Sequence, residues 1–197
     1  VIPYSCRTGR CSTCRCKVVE GDTLALSAEI GLTSEEQADG WILGCVRTAV
    51  TDLVLEVDTL EGLTLPPART LPCRIASSER LAPDVRRILL RLPPAAAFEF
   101  LPGQYLEVIG PGGIRRSYSL AAASPPGAAL EVHVREVAAG VMSDYWFHHA
   151  KDNDLLRLHG PLGTFVLRDV AGIDLILLAT GTGIAPMKAI LESLPVL

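Results

Sequence analysis

This sequence has no apolar run fit to cross a membrane. The stretch Ile173-Asp174-Leu175-Ile176-Leu177-Leu178-Ala179 falls far short of the roughly 20 residues a span requires, and it carries a charge at Asp174. Basic side chains are not in excess either. The 18 Lys and Arg stand against 22 Asp and Glu, a formal net charge of −4, so the electrostatic footprint of a nucleic-acid binder is missing. There are six cysteines, yet no second C-x2-C pair near Cys45 to complete the paired knuckles that structural zinc favours. A disulfide scaffold is unsupported too, because 197 residues with 49% hydrophobic content build ordinary cores without staples. No general acid or base stands out. His148, His149 and His159 have no partner pattern and read as surface or capping residues.

What is there begins with Cys6, Cys11 and Cys14, followed at a distance by Cys45. C-x4-C-x2-C and then a long gap to C is the spacing by which plant-type ferredoxins wrap a [2Fe–2S] cluster. Each iron takes a tetrahedral shell, and two bridging sulfides leave two thiolate positions per iron. Three ligands then come from one loop that curls round the cluster, and a fourth from elsewhere in the fold. The loop Pro3-Tyr4-Ser5-Cys6-Arg7-Thr8-Gly9-Arg10-Cys11-Ser12-Thr13-Cys14 is built of small and flexible residues. Gly9 is free to take backbone angles closed to other residues, and closely spaced amides can aim at the sulfurs, which stabilises a reduced cluster and tunes its potential. Such a cluster moves single electrons, near roughly −400 mV in plant-type ferredoxins. Cys16 and Cys73 lie outside the motif and read as buried small hydrophobes; a zinc site or scattered buried cysteines are the plainer alternatives for the set.

Residues 1–58 resemble most of a plant-type ferredoxin domain, including Gly40-Trp41-Ile42-Leu43-Gly44-Cys45 and the strand-like run Leu53-Val54-Leu55-Glu56-Val57. The resemblance implies a β-grasp fold in which Cys6 and Cys11 share one iron and Cys14 and Cys45 the other. That family carries a hairpin and a helix ahead of its first cysteine, whereas five residues precede Cys6 here; the domain is expected to be partial, lacking its beginning. Residues 1–58 hold five basic and nine acidic side chains, and the remainder thirteen of each. The acidity is therefore confined to this part, either as a face that steers a basic partner protein or as ordinary solvated surface.

Residues 59–70, with Pro66-Pro67 and no periodicity, read as a linker. Beyond them come six short Val-, Ile- and Leu-rich runs at 73–79, 85–92, 104–109, 115–121, 130–136 and 155–159, broken by turn residues. Their number and spacing predict a six-stranded antiparallel β-barrel over 71–168, interrupted by a helical stretch near Gly140–Ala150. The run Arg115-Arg116-Ser117-Tyr118-Ser119 places Arg116 and Tyr118 on one strand face. The first offers a fork that suits a pyrophosphate, the second an aromatic plate that suits a flavin. Gly140-Val141-Met142-Ser143 opens the helical stretch, where free N–H groups and a hydroxyl favour an anion. By itself R-x-Y-S is weak; an exposed Arg beside a core Tyr is the plain reading.

Together these motifs resemble the flavin-binding domain of the ferredoxin–NADP reductase superfamily. The resemblance implies FAD, with Arg116 on the pyrophosphate, Tyr118 against the isoalloxazine and ribityl portion, and Ser119 near the flavin N5, where hydride arrives. It also implies phosphate at Gly140, Val141, Met142 and Ser143, and a cofactor border along His133-Val134-Arg135.

The last segment, 169–197, starts a third pattern. The apolar run at 173–179 suits a buried parallel strand; it leads into Thr180-Gly181-Thr182-Gly183-Ile184-Ala185-Pro186 and a helical stretch from Met187 to Leu194. Strand, glycine turn and helix present backbone amides to a dinucleotide. In the same superfamily this turn, preceded by a G-P-x-G element such as Gly160-Pro161-Leu162-Gly163, marks the nicotinamide domain, with Thr180, Gly181, Thr182, Gly183 and Pro186 at the NAD(P)H site. One strand and one helix make only the start of an α/β NAD(P)-binding domain, so the chain is expected to be cut short at this end as well.

The whole is thus expected to be a multidomain α+β chain, similar to the reductase components of bacterial oxygenases and to CDP-6-deoxy-glucoseen reductases. The stretches Leu71–Val85 and Leu162–Phe165 look nearest the second group. The function implied is transfer of electrons from NAD(P)H through FAD to a [2Fe–2S] cluster and on to an acceptor protein, an oxygenase or a dehydrase. No nucleic acid or membrane takes part, and the oxygen-sensitive cofactor and many thiols imply the cytoplasm. The other reading is an electron carrier or redox sensor without nicotinamide turnover.

Overall fold

The computed structural model describes all residues except 124–128, 169–171, 173 and 196–197. The chain forms two compact units, one of Val1–Thr64 with Gly163–Phe165, the other of Leu65–Leu162 with Val166–Leu197.

In the first unit, β1 (Arg15–Glu20) lies between β3 (Trp41–Leu43) and β5 (Val54–Glu56), antiparallel to both. A second pair, β2 (Thr23–Ala25) and β4 (Arg47–Ala49), is also antiparallel. The short helix α1 (Ser34–Ala38) buries no residue and relies on its cap. Thr33 accepts from the Glu36 N–H at 3.1 Å while Glu36 accepts from the Thr33 N–H at 2.9 Å, a reciprocal arrangement that satisfies two otherwise orphaned donors. Cys14, Leu32, Leu43 and Val46 form a small core beneath the cysteine loop, with Tyr4, Trp41 and Cys45 packed on it.

The second unit is one antiparallel sheet. Its strands are β6 (Arg69–Ala82), β7 (Val85–Arg91), β8 (Tyr105–Ile109), β9 (Arg115–Ser119), β10 (Leu130–Arg135) and β11 (Leu155–Leu162), in the order β10-β7-β6-β11-β8-β9. Alternate residues point inward: Ile75, Ile88, Leu90, Leu106, Val108, Val132 and Leu158 are wholly buried, as period-two patterning requires. Strand β6 is longer than the expected 73–79 and starts within the expected linker. Its first half pairs with β11 and its second half with β7, across register shifts at Ile75/Ser77 and Arg80/Ala82 that bend a strand.

Among the described residues the expected barrel does not close. Closure needs a continuous ladder between the edge strands, but β9 ends at Ser119 rather than at 121, and only the isolated bridge Leu120↔Val132 joins its extension to β10. The helical stretch is α2 (Val141–Asp144) followed by a π-helical turn over Tyr145–His149, closed by the Ala150 N–H to the Tyr145 carbonyl at 2.7 Å.

The parallel strand expected at 173–179 is also absent among the described residues. Ile173 lies outside them; Asp174–Ala179 is irregular, with Ile176 and Leu178 about four-fifths exposed. An apolar run becomes a strand only beside another whose N–H and C=O groups it can pair, and among the described residues none pairs with it. The helix that follows, α3 (Ile184–Ser193), does form, after a tight turn over Gly181–Gly183.

Candidate functional site

The first candidate site is the cysteine loop. Gly9 has φ +70°, and a Cβ there would collide with the Ala28 carbonyl, so only glycine lets the two loops close. The Gly31 N–H donates to the Gly9 carbonyl at 2.8 Å, and the Ser12 hydroxyl to the Gly31 carbonyl at 2.6 Å. Inside the loop the N–H groups of Thr8 and Cys11 both donate to Cys6 Sγ at 3.4 Å, and the Cys6 N–H to Cys11 Sγ at 3.5 Å. Burial alone would raise the Cys6 thiol, but hydrogen bonds from the Thr8 side chain and from the Thr8 and Cys11 amides outweigh it and bring it down to about 6. Burial pushes Cys14 up to about 11, reinforced by the charges of its neighbours Cys45 and Cys11.

The thiols thus stand as two pairs, Cys6 with Cys11 and Cys14 with Cys45. This donor set fits a two-iron cluster with two thiolates on each iron. Among the described residues no three His, Cys, Asp or Glu side chains converge on a single-ion position. Cys16 and Cys73 are buried with raised pKa values, Cys73 up to about 12, and both are packed as apolar residues.

The second candidate site is a cavity of about 440 Å³ in the sheet unit. From β9 it is lined by Arg116, Tyr118 and Ser119, and from β10 by His133. The α2 segment contributes Gly140, Met142 and Ser143, and the glycine turn Thr182 and Gly183. Three motifs far apart in sequence therefore meet on one concavity.

Several expected residues stand apart from it: Val134 is buried in the core, Val141 is exposed, and Thr180, Gly181 and Pro186 do not line it. The structure adds Ser117 and Val137, and Arg135 lines the cavity as the expected border beside His133. Arg135 is two positions from His133 and so on the same strand face. Its guanidinium is fixed by Asp84 at 3.0 Å.

Tyr118 is held from behind. The Trp146 indole N–H donates to its hydroxyl at 2.9 Å, with the rings edge-on at 81°. Burial pushes the Tyr118 phenol up, so it stays neutral with its own proton free to donate. The π-turn carries Trp146 inward, and no sequence signal pointed to it. Ser143 accepts from the Val137 N–H at 2.7 Å and donates to the Arg135 carbonyl at 3.3 Å; its hydroxyl shapes the cavity wall. A Cβ at Gly140 would come to 3.0 Å from the Val137 carbonyl and 3.3 Å from the Ser143 Cβ, so a larger residue would press on this cradle. The Arg116 guanidinium is exposed and donates to the Arg115 carbonyl; this cationic fork over a glycine cradle fits a pyrophosphate-bearing flavin.

His133 and Glu131 meet at 2.9 Å, and Lys188 of α3 reaches Glu131 at 3.3 Å, Glu192 at 2.7 Å and the Ala121 carbonyl at 3.0 Å. Burial opposes charge on Lys188, yet the two carboxylates hold its ammonium above the usual range. This cluster fastens α3, and with it the glycine turn, to β10.

Residues 1–50 match the 2Fe-2S iron-sulfur cluster binding domain and residues 72–167 the oxidoreductase FAD-binding domain. The chain belongs to the ferredoxin–NAD(P) reductase superfamily. Within that superfamily the first domain carries a [2Fe–2S] cluster and the second carries FAD. The CDP-6-deoxy-L-threo-D-glycero-4-hexulose-3-dehydrase reductase of Yersinia pestis is 39% identical over 98% of this chain and 58% of its own length. The ferredoxin–NAD(P)(+) reductase component of the naphthalene 1,2-dioxygenase system of Pseudomonas putida is 33% identical over 97% and 57%. The cytochrome P450 reductase GcoB of Amycolatopsis has the same fold at a TM-score of 0.76, with 35% identity over 98% of this chain and 59% of its own. The chain thus spans less than two thirds of each of these superfamily members.

Proposed function

We propose that this protein is an NAD(P)H-dependent electron-transfer reductase. Electrons pass from NAD(P)H by way of FAD and a [2Fe–2S] cluster to an acceptor protein, an oxygenase component or a deoxysugar dehydrase. The observation that carries the reading is the meeting of the Arg116–Ser119 strand, the Gly140 cradle and the Thr182–Gly183 turn on one cavity, in a chain that also holds two thiol pairs in a loop of inward-aimed amides.

In this reading Cys6, Cys11, Cys14 and Cys45 hold the cluster, the first two on one iron. Arg116 neutralises the flavin pyrophosphate, Gly140 admits it, and Tyr118 with its Trp146 brace sets the ring plane. Ser119 is the hydroxyl beside the reacting edge, and Thr180–Pro186 receives the nicotinamide nucleotide. Bound FAD exchanges electrons in pairs with a nicotinamide and singly with a metal cluster. The protein's own work is positional and electrostatic, and needs no general acid or base.

Residues 1–58 are then a partial β-grasp domain joined by the 59–70 linker to a barrel-like flavin domain over 71–168, and 169–197 opens the NAD(P)-binding domain. Among the described residues no helix is long and apolar enough to cross a membrane, and a thiol-held cluster suits the reducing cytoplasm.

Iron, acid-labile sulfide and flavin measured in the purified protein test this directly. About two irons, two sulfides and one FAD per chain are expected, with rapid bleaching of the flavin by NADH or NADPH in the full-length protein. Zinc without sulfide or flavin would overturn the reading. A full cofactor complement that neither nucleotide bleaches would favour an electron carrier or redox sensor.

A further inference from the structure

A second cavity in the sheet unit, of about 420 Å³, shares no lining residue with the flavin cavity. Leu92, Pro93, Pro94 and Leu155 supply apolar walls, and Arg74 and Arg91 complete it. Leu155 is nearly two-thirds exposed, an aliphatic side chain left at the cavity's surface. The two arginines are direct cross-strand partners on β6 and β7. Like charges placed directly opposite each other destabilise a sheet. Among the described residues neither guanidinium meets a carboxylate.

A single neutral residue holds both. Arg74 Nη1 donates to the Asn153 carbonyl at 2.6 Å, and Arg91 Nη2 to Asn153 Oδ1 at 3.2 Å. Asn153 sits at the left-handed φ of 69°, a conformation asparagine tolerates better than most residues. Its own N–H is spent on the Ile75 carbonyl at 2.8 Å. Each guanidinium has five N–H donors, so most remain to be satisfied after the clamp is made. Two fixed forks that retain donors and lack a counter-charge are the arrangement that recognises carboxylate, sulfonate or phosphate.

We propose that this cavity is a binding site for a small organic anion with an apolar body, such as an aryl or short acyl carboxylate. The acid group lies on Arg74 and Arg91, and the apolar body on Leu92, Pro93, Pro94 and Leu155. The volume falls in the range of small-molecule sites, and proline walls lose little freedom when a ligand orders them, which favours a free small molecule over a protein surface. The site does not depend on the assignment of the electron-transfer cofactors.

The test is a fluorescence titration of the FAD-loaded protein with 8-anilinonaphthalene-1-sulfonate. One saturable site per chain is expected, displaced by 2-naphthoate but not by the neutral naphthalene-2-carboxamide. In Arg74→Gln/Arg91→Gln the dissociation constant should rise at least about tenfold, as expected for loss of charge-assisted hydrogen bonds. The melting temperature should hold or rise, because the like-charge pair is gone. Leu155→Asn should weaken the same site from its apolar side and decides the matter if the double variant fails to fold. Affinity unchanged within about twofold in the variant tested, or equal displacement by the carboxamide, overturns the proposal.

Discussion

Tyr118 shows how much of the proposed flavin site is settled by a residue that does not line it. Its ring faces the cavity, but its orientation is set by the Trp146 N–H at 2.9 Å, and that indole is 1% exposed. Trp146→Phe keeps the ring and deletes the donor. A single neutral hydrogen bond is worth about 0.5–1.5 kcal/mol net, so FAD should bind about 3- to 10-fold more weakly by flavin fluorescence titration, with the fold intact by circular dichroism. Unchanged affinity would mean that the brace is packing alone. The cysteines separate in a similar way. Cys45→Ala should lose iron, whereas Cys16→Ala, two positions from Cys14 and buried without any thiol partner, should keep it. At this scale the sequence was most informative where chemistry constrains type and spacing together, as in the four cysteines and Arg116. It was blind to Trp146, because a buried aromatic in a helical segment looks the same whether it fills a core or braces a cofactor residue.

Among the elements, the loop that carries Glu29 links cysteine geometry to pH. Its carboxylate accepts from the Leu43 N–H at 2.6 Å and from Arg47 at 2.7 and 3.0 Å. Burial opposes its ionisation, but Arg47 and the Leu43 amide prevail and hold the carboxyl below its ordinary range. A depressed folded-state pKa contributes stability that is complete above the unfolded value, near 4.3 for Glu, and is lost as pH falls through the folded one. The first unit should therefore weaken as pH drops below about 4. Glu29→Gln should flatten that dependence and cost of order 2 kcal/mol at neutral pH, since it leaves Arg47 with a broken buried pair; chemical denaturation across pH reads both.

Helix α3 gives a second prediction at this scale. Lys188→Met cuts its ties to Glu131, Glu192 and Ala121, so the KM for NAD(P)H should rise while FAD content holds. The six sheet strands were legible because alternation is a local signal. The run at 173–179 was not, because an apolar segment cannot announce whether a neighbouring strand will pair with it. Barrel closure was likewise undecidable from pattern, since among the described residues the edge strands meet only at the bridge Leu120↔Val132.

For the whole molecule, the division into units cuts across sequence order. Gly163–Phe165 follows the last sheet strand yet belongs to the unit built from residues 1–64. Its anchor is Thr164, 7% exposed, whose hydroxyl accepts from the Tyr4 N–H at 2.8 Å and donates to the Tyr4 carbonyl at 2.9 Å, while its own N–H donates to that carbonyl at 3.0 Å. No periodicity or motif encodes a pairing across 160 positions; it emerges only when the chain is folded. Tyr4 lies two residues before Cys6, so this clasp fixes the entry to the cysteine loop. Thr164→Val keeps the shape, removes two of the three bonds and strands the Tyr4 N–H, a loss of about 1–3 kcal/mol. On heating, iron should leave the variant at a lower temperature than it leaves the parent, followed by visible absorbance, while flavin release stays where it was. Equal shifts of both would mean that Thr164 supports the fold at large. A shift of iron alone would identify a distant segment as the latch on the cluster loop.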